Sequence, residues 1–145
     1  MSKKLLTKRR EKGSYVNYIS KSRQFIYTMY DCLHKERYDS AALNGIHAVI
    51  SLVDAYVIYN YGLVSAGKRH EDAIELLLNM DKDPMIKKQA NHARYVIRLK
   101  GIVEYLECLT TQKQAYEIEK HVKRLYEWMS KKLHFTIHNS SFPYL

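Results

Sequence analysis

The chain has 145 residues, which suits one domain with a buried core, and 46% of them are hydrophobic with only two prolines, which excludes a disordered chain. Its two cysteines are far apart and form no C-x-x-C pair. They could form one disulfide but no disulfide framework, and a reducing cytoplasm is the expected location. The net charge of +9 favours a polyanionic partner such as nucleic acid, although a lysine-rich surface can equally serve solubility alone.

The charge is concentrated at the N-terminus, where residues 1–37 carry ten Lys and Arg against three acids. Residues 1–13 are interpreted as a basic arm, in which Lys8, Arg9 and Arg10 are candidate phosphate contacts. No apolar segment follows this arm as in a signal peptide. A single helical domain is expected over residues 14–135, followed by an irregular tail at 136–145.

Apolar periodicity and capping signals predict helices throughout the domain. The predicted helices span residues 14–36, 39–61, 69–80, 84–109 and 112–133. Asp83-Pro84 marks the start of the fourth helix, and Thr111-x-x-Gln114 is a capping box that starts the last one. Short connections between these helices predict an all-α fold, an antiparallel four-to-five-helix bundle.

The second predicted helix carries a polar stripe within an apolar sequence. Its length and composition resemble a membrane span, but an Asp near its middle favours the core helix of a soluble protein without membrane contact. Polar residues recur along it at spacings of 4, 3, 4 and 3: Ser40, Asn44, His47, Ser51 and Asp54. This spacing places them on one face, where they either form structural hydrogen bonds or line a groove for a phosphate or a base.

The loop after this helix contains G-x-x-x-x-G-K, the spacing of a phosphate-binding P-loop, at Gly62, Gly67 and Lys68. A P-loop follows a strand, and its Lys precedes a Ser or Thr that binds magnesium. Here Arg69 follows, and the preceding segment has a helical pattern. We therefore interpret both glycines as turn residues and keep Lys68, Arg69 and His70 as candidates for ligand contact.

The fourth predicted helix supplies a second set of candidates for phosphate contact, namely His92, Arg94, Arg98 and Lys100. Arg94 and Arg98 are one turn apart and share a face. No pair of histidines has metal-ligand spacing with a carboxylate, so neither a metal nor another cofactor is predicted.

The segment YDSAALNGIHAVISLVDAYVIYNYGLVSAGKRHEDAIELL resembles the second helix, loop and short helix of HEPN-domain proteins, with GKRHEDAIELL matching the basic segment that opens the short helix. The segment VIRLKGIVEYLECLTTQKQAYEIEKHVKRLYEWM is similar to the following pair of helices in that family, so the resemblance covers about residues 20–130. It implies an antiparallel helical bundle that forms a homodimer.

The HEPN resemblance implies two kinds of function. Many members are metal-independent endoribonucleases marked by an Arg, four to six further residues and a His. None of the seven histidines here follows an Arg at that spacing. The leading hypothesis is therefore a non-catalytic dimeric module that binds RNA, a nucleotide or another polyanion. The alternatives are a ribonuclease with a rearranged site that uses His92, Arg94 and Arg98, and an interaction subunit that partners a nucleotidyltransferase or an antitoxin.

Overall fold

The computed structural model describes residues 4–105 and 107–135, and it is mostly helical, which confirms the predicted all-α character. The helices are α1 Tyr15–His34, α2 Tyr38–Tyr61, α3 Glu71–Met80, α4 Ile86–Arg98, α5 Lys100–Tyr105 and α6 Gln112–Lys132. The predicted C-terminal tail, residues 136–145, lies outside the described residues, as do the first three residues of the basic arm.

Helix α2 is the central element of the structure and packs against α1, α4 and α6. Among the described residues it is the one helix long and apolar enough to cross a membrane, and 72% of its most apolar window is buried against the rest of the chain. Its buried positions include several alanines and Gly45, which let neighbouring helices approach closely. These contacts account for its apolar sequence as that of a core helix.

Two short strands correct the prediction that the chain is helical throughout. Strand β1, Thr7–Arg9, pairs antiparallel with β2, Leu63–Ser65. The pairing continues at both ends, because the Arg10 amide donates to the Gly62 carbonyl at 2.8 Å and the Ala66 amide donates to the Leu6 carbonyl at 2.8 Å. The basic arm is therefore anchored beside the end of α2.

The fourth predicted helix is shorter than expected and is interrupted, so the prediction of one helix over residues 84–109 is wrong. The Leu99 amide donates to the Val96 carbonyl, three residues back, at 3.1 Å, and α5 begins at the next residue and ends at Tyr105. Gly101, a poor helix former with an exposed backbone, lies in this second segment. The break turns α5 towards α2, which it contacts.

The two predicted helix starts have different outcomes. The capping box is confirmed, since Thr111 Oγ1 accepts from the Gln114 amide at 3.1 Å and Gln114 Oε1 accepts from the Thr111 amide at 2.9 Å. The Asp83 carboxylate accepts from the Met85 amide at 2.8 Å, but this bond stabilises a turn, and α4 itself begins at Ile86.

Candidate functional site

Some residues of the polar stripe on α2 are buried or hydrogen-bonded within the helix, and others are accessible to a ligand. The Asn44 amide donates to the Ser40 carbonyl within the helix at 2.8 Å, and Ser51 is buried. His47 and Asp54 are partly exposed, and the His47 ring lies beside Phe25 of α1, with ring centroids 5.4 Å apart. Ser40 is exposed at the start of α2, and His47 and Asp54 are the accessible members farther along the helix.

A cavity of about 210 Å³ lies at the Asp54 end of the stripe. Its polar walls come from three segments: Asp54 of α2, Ser65 of β2, and Arg69 with His70 from the loop before α3. Ile97 of α4 contributes an apolar wall. The cavity thus brings together two groups of candidates that are separate in the sequence. We call this cavity, together with His47, the α2 groove.

Asp54 has the electrostatic character of a proton acceptor. Burial raises the pKa of its carboxyl group to about 6, although the positive charges of Arg10 and Lys21 act in the opposite direction. Arg10 directly follows β1, and Lys21 lies on α1. Two cations from distant parts of the chain therefore lie near this carboxylate, and the strand pairing positions one of them.

His70 lies in a second cluster of charges that adjoins the cavity. Partial burial lowers the pKa of its imidazole, the positive charges of Lys100 and His47 lower it further, and Glu104 opposes them. The Lys100 ammonium and the Glu104 carboxylate form an ion pair at 2.7 Å along α5. His70 still exposes more than a third of its surface, so it can reach a ligand.

The loop that supplies Arg69 and His70 is built by its glycines. Gly62 adopts a left-handed conformation, φ 67°, at the end of α2. Gly67 lies against the buried Asp72 carboxylate so closely that any Cβ would collide with it, and Asp72 also binds the Arg69 guanidinium at 3.0 Å. The segment between the two glycines includes β2, which is paired with β1, so it is an extended strand rather than the phosphate-binding loop of a P-loop. Lys68 is exposed on this loop.

Arg94 and Arg98 lie outside the cavity and share one partner. Both guanidinium groups contact Glu71 Oε1, at 3.2 and 3.0 Å. His92 points the other way, towards α6, because its position is about 200° around the helix from Arg94. The structure therefore does not bring His92 together with Arg94 and Arg98. Lys100, in contrast, is close enough to His70 of the α2 groove that its positive charge lowers the pKa of that imidazole.

His92 forms a close pair with His121 of α6, their Nδ1 atoms 2.7 Å apart. Burial is the main cause that lowers the pKa of both imidazoles, and the positive charge of Arg124 contributes to each. Such a contact requires at least one neutral ring, because two imidazolium ions have no acceptor between them.

We expect this histidine pair to make the fold sensitive to acid. Both rings are neutral in the folded state and bind protons more readily in the unfolded chain, so their contribution is complete above about pH 6.5 and is lost as the pH falls. The loss is at most about 1.4 kcal/mol per pH unit for each imidazole. Thermal melting curves of the wild type and His121→Phe, recorded between pH 7.5 and 5, will measure it.

The comparison between variants is needed because Asp54, with its raised pKa, has the opposite effect and stabilises the fold as the pH falls through 6. That contribution cancels when the two curves are subtracted. Tyr95→Phe is the control, since it keeps the ring that lies against His121 at 4.2 Å and removes no imidazole. Equal acid sensitivity in the wild type and in His121→Phe would contradict the assignment.

Within residues 4–105 and 107–135, no three His, Cys, Asp or Glu side chains are grouped so that they could hold a metal ion. Comparisons with protein-family models, with curated proteins and with solved structures give no significant match.

Sequence reasoning missed Arg10 as a neighbour of Asp54, and it missed Lys21 and Ser65 entirely. The strand pairing that places Arg10 there joins residues about 55 positions apart, which local periodicity does not reveal.

Proposed function

We propose that the chain is a HEPN-like antiparallel helical bundle that binds single-stranded RNA, or a related phosphate-rich ligand, along the α2 groove without cleaving it. The presence of cations from three separate segments near Asp54 and its cavity carries this proposal. Arg10 and Lys21 lie near Asp54, and Arg69 lines the same cavity. Single-strand binders combine such a basic groove with groups that contact bases.

The surroundings of the groove support a ligand longer than one phosphate. Lys8 and Arg9 are exposed on β1 and extend the positive surface away from Arg10. Lys68 is exposed on the loop that follows β2. His47 and His70 offer ring nitrogens that donate to or accept from a base. An RNA strand whose backbone follows β1 and the loop after β2 would place its phosphates among these lysines and arginines.

The proposal includes a homodimer, which the HEPN resemblance implies. The apolar residues of α2 are mostly buried within the chain and do not provide a surface for a second copy. Exposed apolar side chains lie instead on α5, in the segment after it and at the start of α6: Ile102, Tyr105, Leu109 and Tyr116. A cavity of about 210 Å³ adjoins Ile102 and Leu109, so this face offers both an apolar surface and a depression to a second copy.

We expect RNA binding to be weak in sequence preference and steep in salt. Each phosphate neutralised on a single strand contributes about 0.7 to the log–log salt slope, so three to five contacts give a slope of about −2 to −4. Fluorescence anisotropy with a labelled single-stranded RNA in EDTA, from about 50 to 300 mM salt, will measure it. No binding at about 50 mM salt would overturn the proposal and favour the interaction subunit for a nucleotidyltransferase or an antitoxin.

The same samples test a second candidate function, a metal-independent endoribonuclease. One observation favours it: Asp54, Arg69 and His70 line one cavity, so a proton acceptor, a phosphate-binding cation and a proton donor are close together. Cleavage needs Asp54 deprotonated and His70 protonated, so its rate would fall below the Asp54 pKa of about 6 and would also fall at higher pH, where His70 is neutral. RNA fragments that form in EDTA and disappear in Asp54→Asn would replace the binding module with the enzyme, and intact RNA supports the module.

A further inference from the structure

A second cavity, of about 500 Å³, lies in the groove between α4 and α6, away from Asp54 and its neighbours. We call it the α4–α6 groove, and its lining residues are Lys88, Gln89, His92, Arg124, Glu127, Trp128 and Lys131. Its volume is in the range of small-molecule sites. Apart from His92, which pairs with His121, the polar groups that it contains are explained neither by the RNA proposal nor by the fold.

Three cations surround this groove. Lys88 projects from α4, while Arg124 and Lys131 project from α6 two turns apart, and all three side chains are exposed. Lys88 and Arg124 are close enough to His92 that their positive charges lower the pKa of its imidazole. An arrangement of an Arg and two Lys around a concave surface suits a phosphate group, which Arg binds with two parallel hydrogen bonds.

Two acceptors lie among these cations, which a simple anion would not need. Gln89 is 6% exposed, and its Oε1 atom has no hydrogen-bond partner among the described residues. A buried amide oxygen without a partner is costly, and a ligand that donates a hydrogen bond removes that cost. Glu127 places a carboxylate in the same groove. The ligand should therefore carry hydroxyl or amino donors as well as a negative charge.

Trp128 provides an apolar wall for such a ligand. Its ring stacks on Tyr56 of α2, with centroids 5.4 Å apart and an interplanar angle of 28°, so its orientation is fixed by packing. Lys132 lies near the same ring and also pairs with Asp83. An aromatic wall beside hydrogen-bond acceptors suits a sugar, whose C–H bonds contact the ring while its hydroxyl groups donate to the acceptors.

We propose that the α4–α6 groove binds a sugar phosphate. Its phosphate lies among Lys88, Arg124 and Lys131, and its hydroxyl groups donate to Gln89 Oε1 and the Glu127 carboxylate. This site is separate from the α2 groove, so it stands or falls independently of RNA binding.

Trp128 is the only tryptophan in the chain, so its fluorescence reports directly on this groove. Ribose 5-phosphate, inorganic phosphate and ribose are titrated separately into the full-length protein at about 50 mM salt. We expect ribose 5-phosphate to change the emission saturably, with an affinity at least about tenfold higher than that of either inorganic phosphate or ribose, since each lacks one set of contacts. Equal affinity for inorganic phosphate, or no saturable change with any probe, would overturn the proposal.

Two variants separate the contacts. Arg124→Gln with Lys131→Gln removes the phosphate contacts and should weaken ribose 5-phosphate binding by about tenfold or more. Gln89→Leu removes the unpaired acceptor at similar volume and should bring the ribose 5-phosphate affinity close to that of inorganic phosphate. Circular dichroism and melting curves confirm that each variant is folded, and Glu127→Ala, which removes the other acceptor, replaces Gln89→Leu if the latter does not fold.

The matched control is Lys35→Gln with Lys113→Gln, which removes two exposed positive charges outside the groove. It should leave the titration unchanged. A loss in the control as large as that in Arg124→Gln with Lys131→Gln would show that net charge, rather than this groove, determines the response. Competition by single-stranded RNA for the Trp128 signal, without discrimination between the small probes, would also overturn the sugar phosphate assignment.

Discussion

Gly45→Leu should abolish or severely weaken folding, because Gly45 lies where α2 meets α6 and α1. A Cβ atom built on Gly45 would lie 2.7 Å from Ile118 Cγ2 and 3.1 Å from Met29 Sδ, and both neighbours are almost completely buried. Neither can move without displacing other core side chains. We expect a loss of more than about 3 kcal/mol, which lowers the melting temperature by about 10 °C or prevents folding.

Gly45→Ala provides a graded version of the same test. Alanine gains about 1 kcal/mol in helix propensity over glycine, but the close contact with Ile118 more than offsets this gain, so we expect a net loss of about 1–2 kcal/mol. Gly101→Ala is the control, since a Cβ there meets nothing within 4 Å, and it should stabilise the protein slightly. A Gly45→Leu protein as stable as the wild type would show that α2 and α6 are not packed as described.

The main helices could be predicted from the sequence because their signals are local. The capping box at Thr111 and the left-handed Gly62 are both short-range features, and both helix ends are observed within a residue or two of the predicted positions. The break at Leu99 and the early end of α5 could not be predicted in the same way. Apolar periodicity continues across that break, and the contact of α5 with α2 is a tertiary interaction.

The candidate site could be predicted only in part. The polar stripe could be recognised because polar residues interrupt the apolar sequence of α2 at helical spacing. The structure brings Asp54 of this stripe and His70 of the following loop to one cavity. The charged candidates on the fourth predicted helix are close in the sequence, but they are not all close in space. Helical geometry places His92 and Arg94 on opposite faces, and Glu71, whose role was not foreseen, binds both Arg94 and Arg98.

The β1–β2 pairing means that the basic arm should be tested by substitution rather than by deletion. Deletion of residues 1–12 removes the charges but also removes β1, which pairs beside the buried Val64 of β2, so it should lower stability as well as RNA affinity. Substitution of the side chains avoids this ambiguity, because Lys8, Arg9 and Arg10 are all exposed and the strand is held through backbone hydrogen bonds.

Lys8→Gln, Arg9→Gln and Arg10→Gln, combined in one protein, should therefore weaken RNA binding strongly with little loss of stability. If all three side chains contact phosphates, the salt slope becomes shallower by about 2, and the affinity at about 50 mM salt falls by tenfold or more. The control combines Lys35→Gln, Lys113→Gln and Lys120→Gln, three exposed lysines of equal total charge away from β1. Because both proteins lose three positive charges, a difference between their salt slopes measures the effect of placing those charges on β1, beside the α2 groove. Equal salt slopes in the two variants would mean that RNA binding depends only on net charge. That result would contradict the α2 groove as the RNA site.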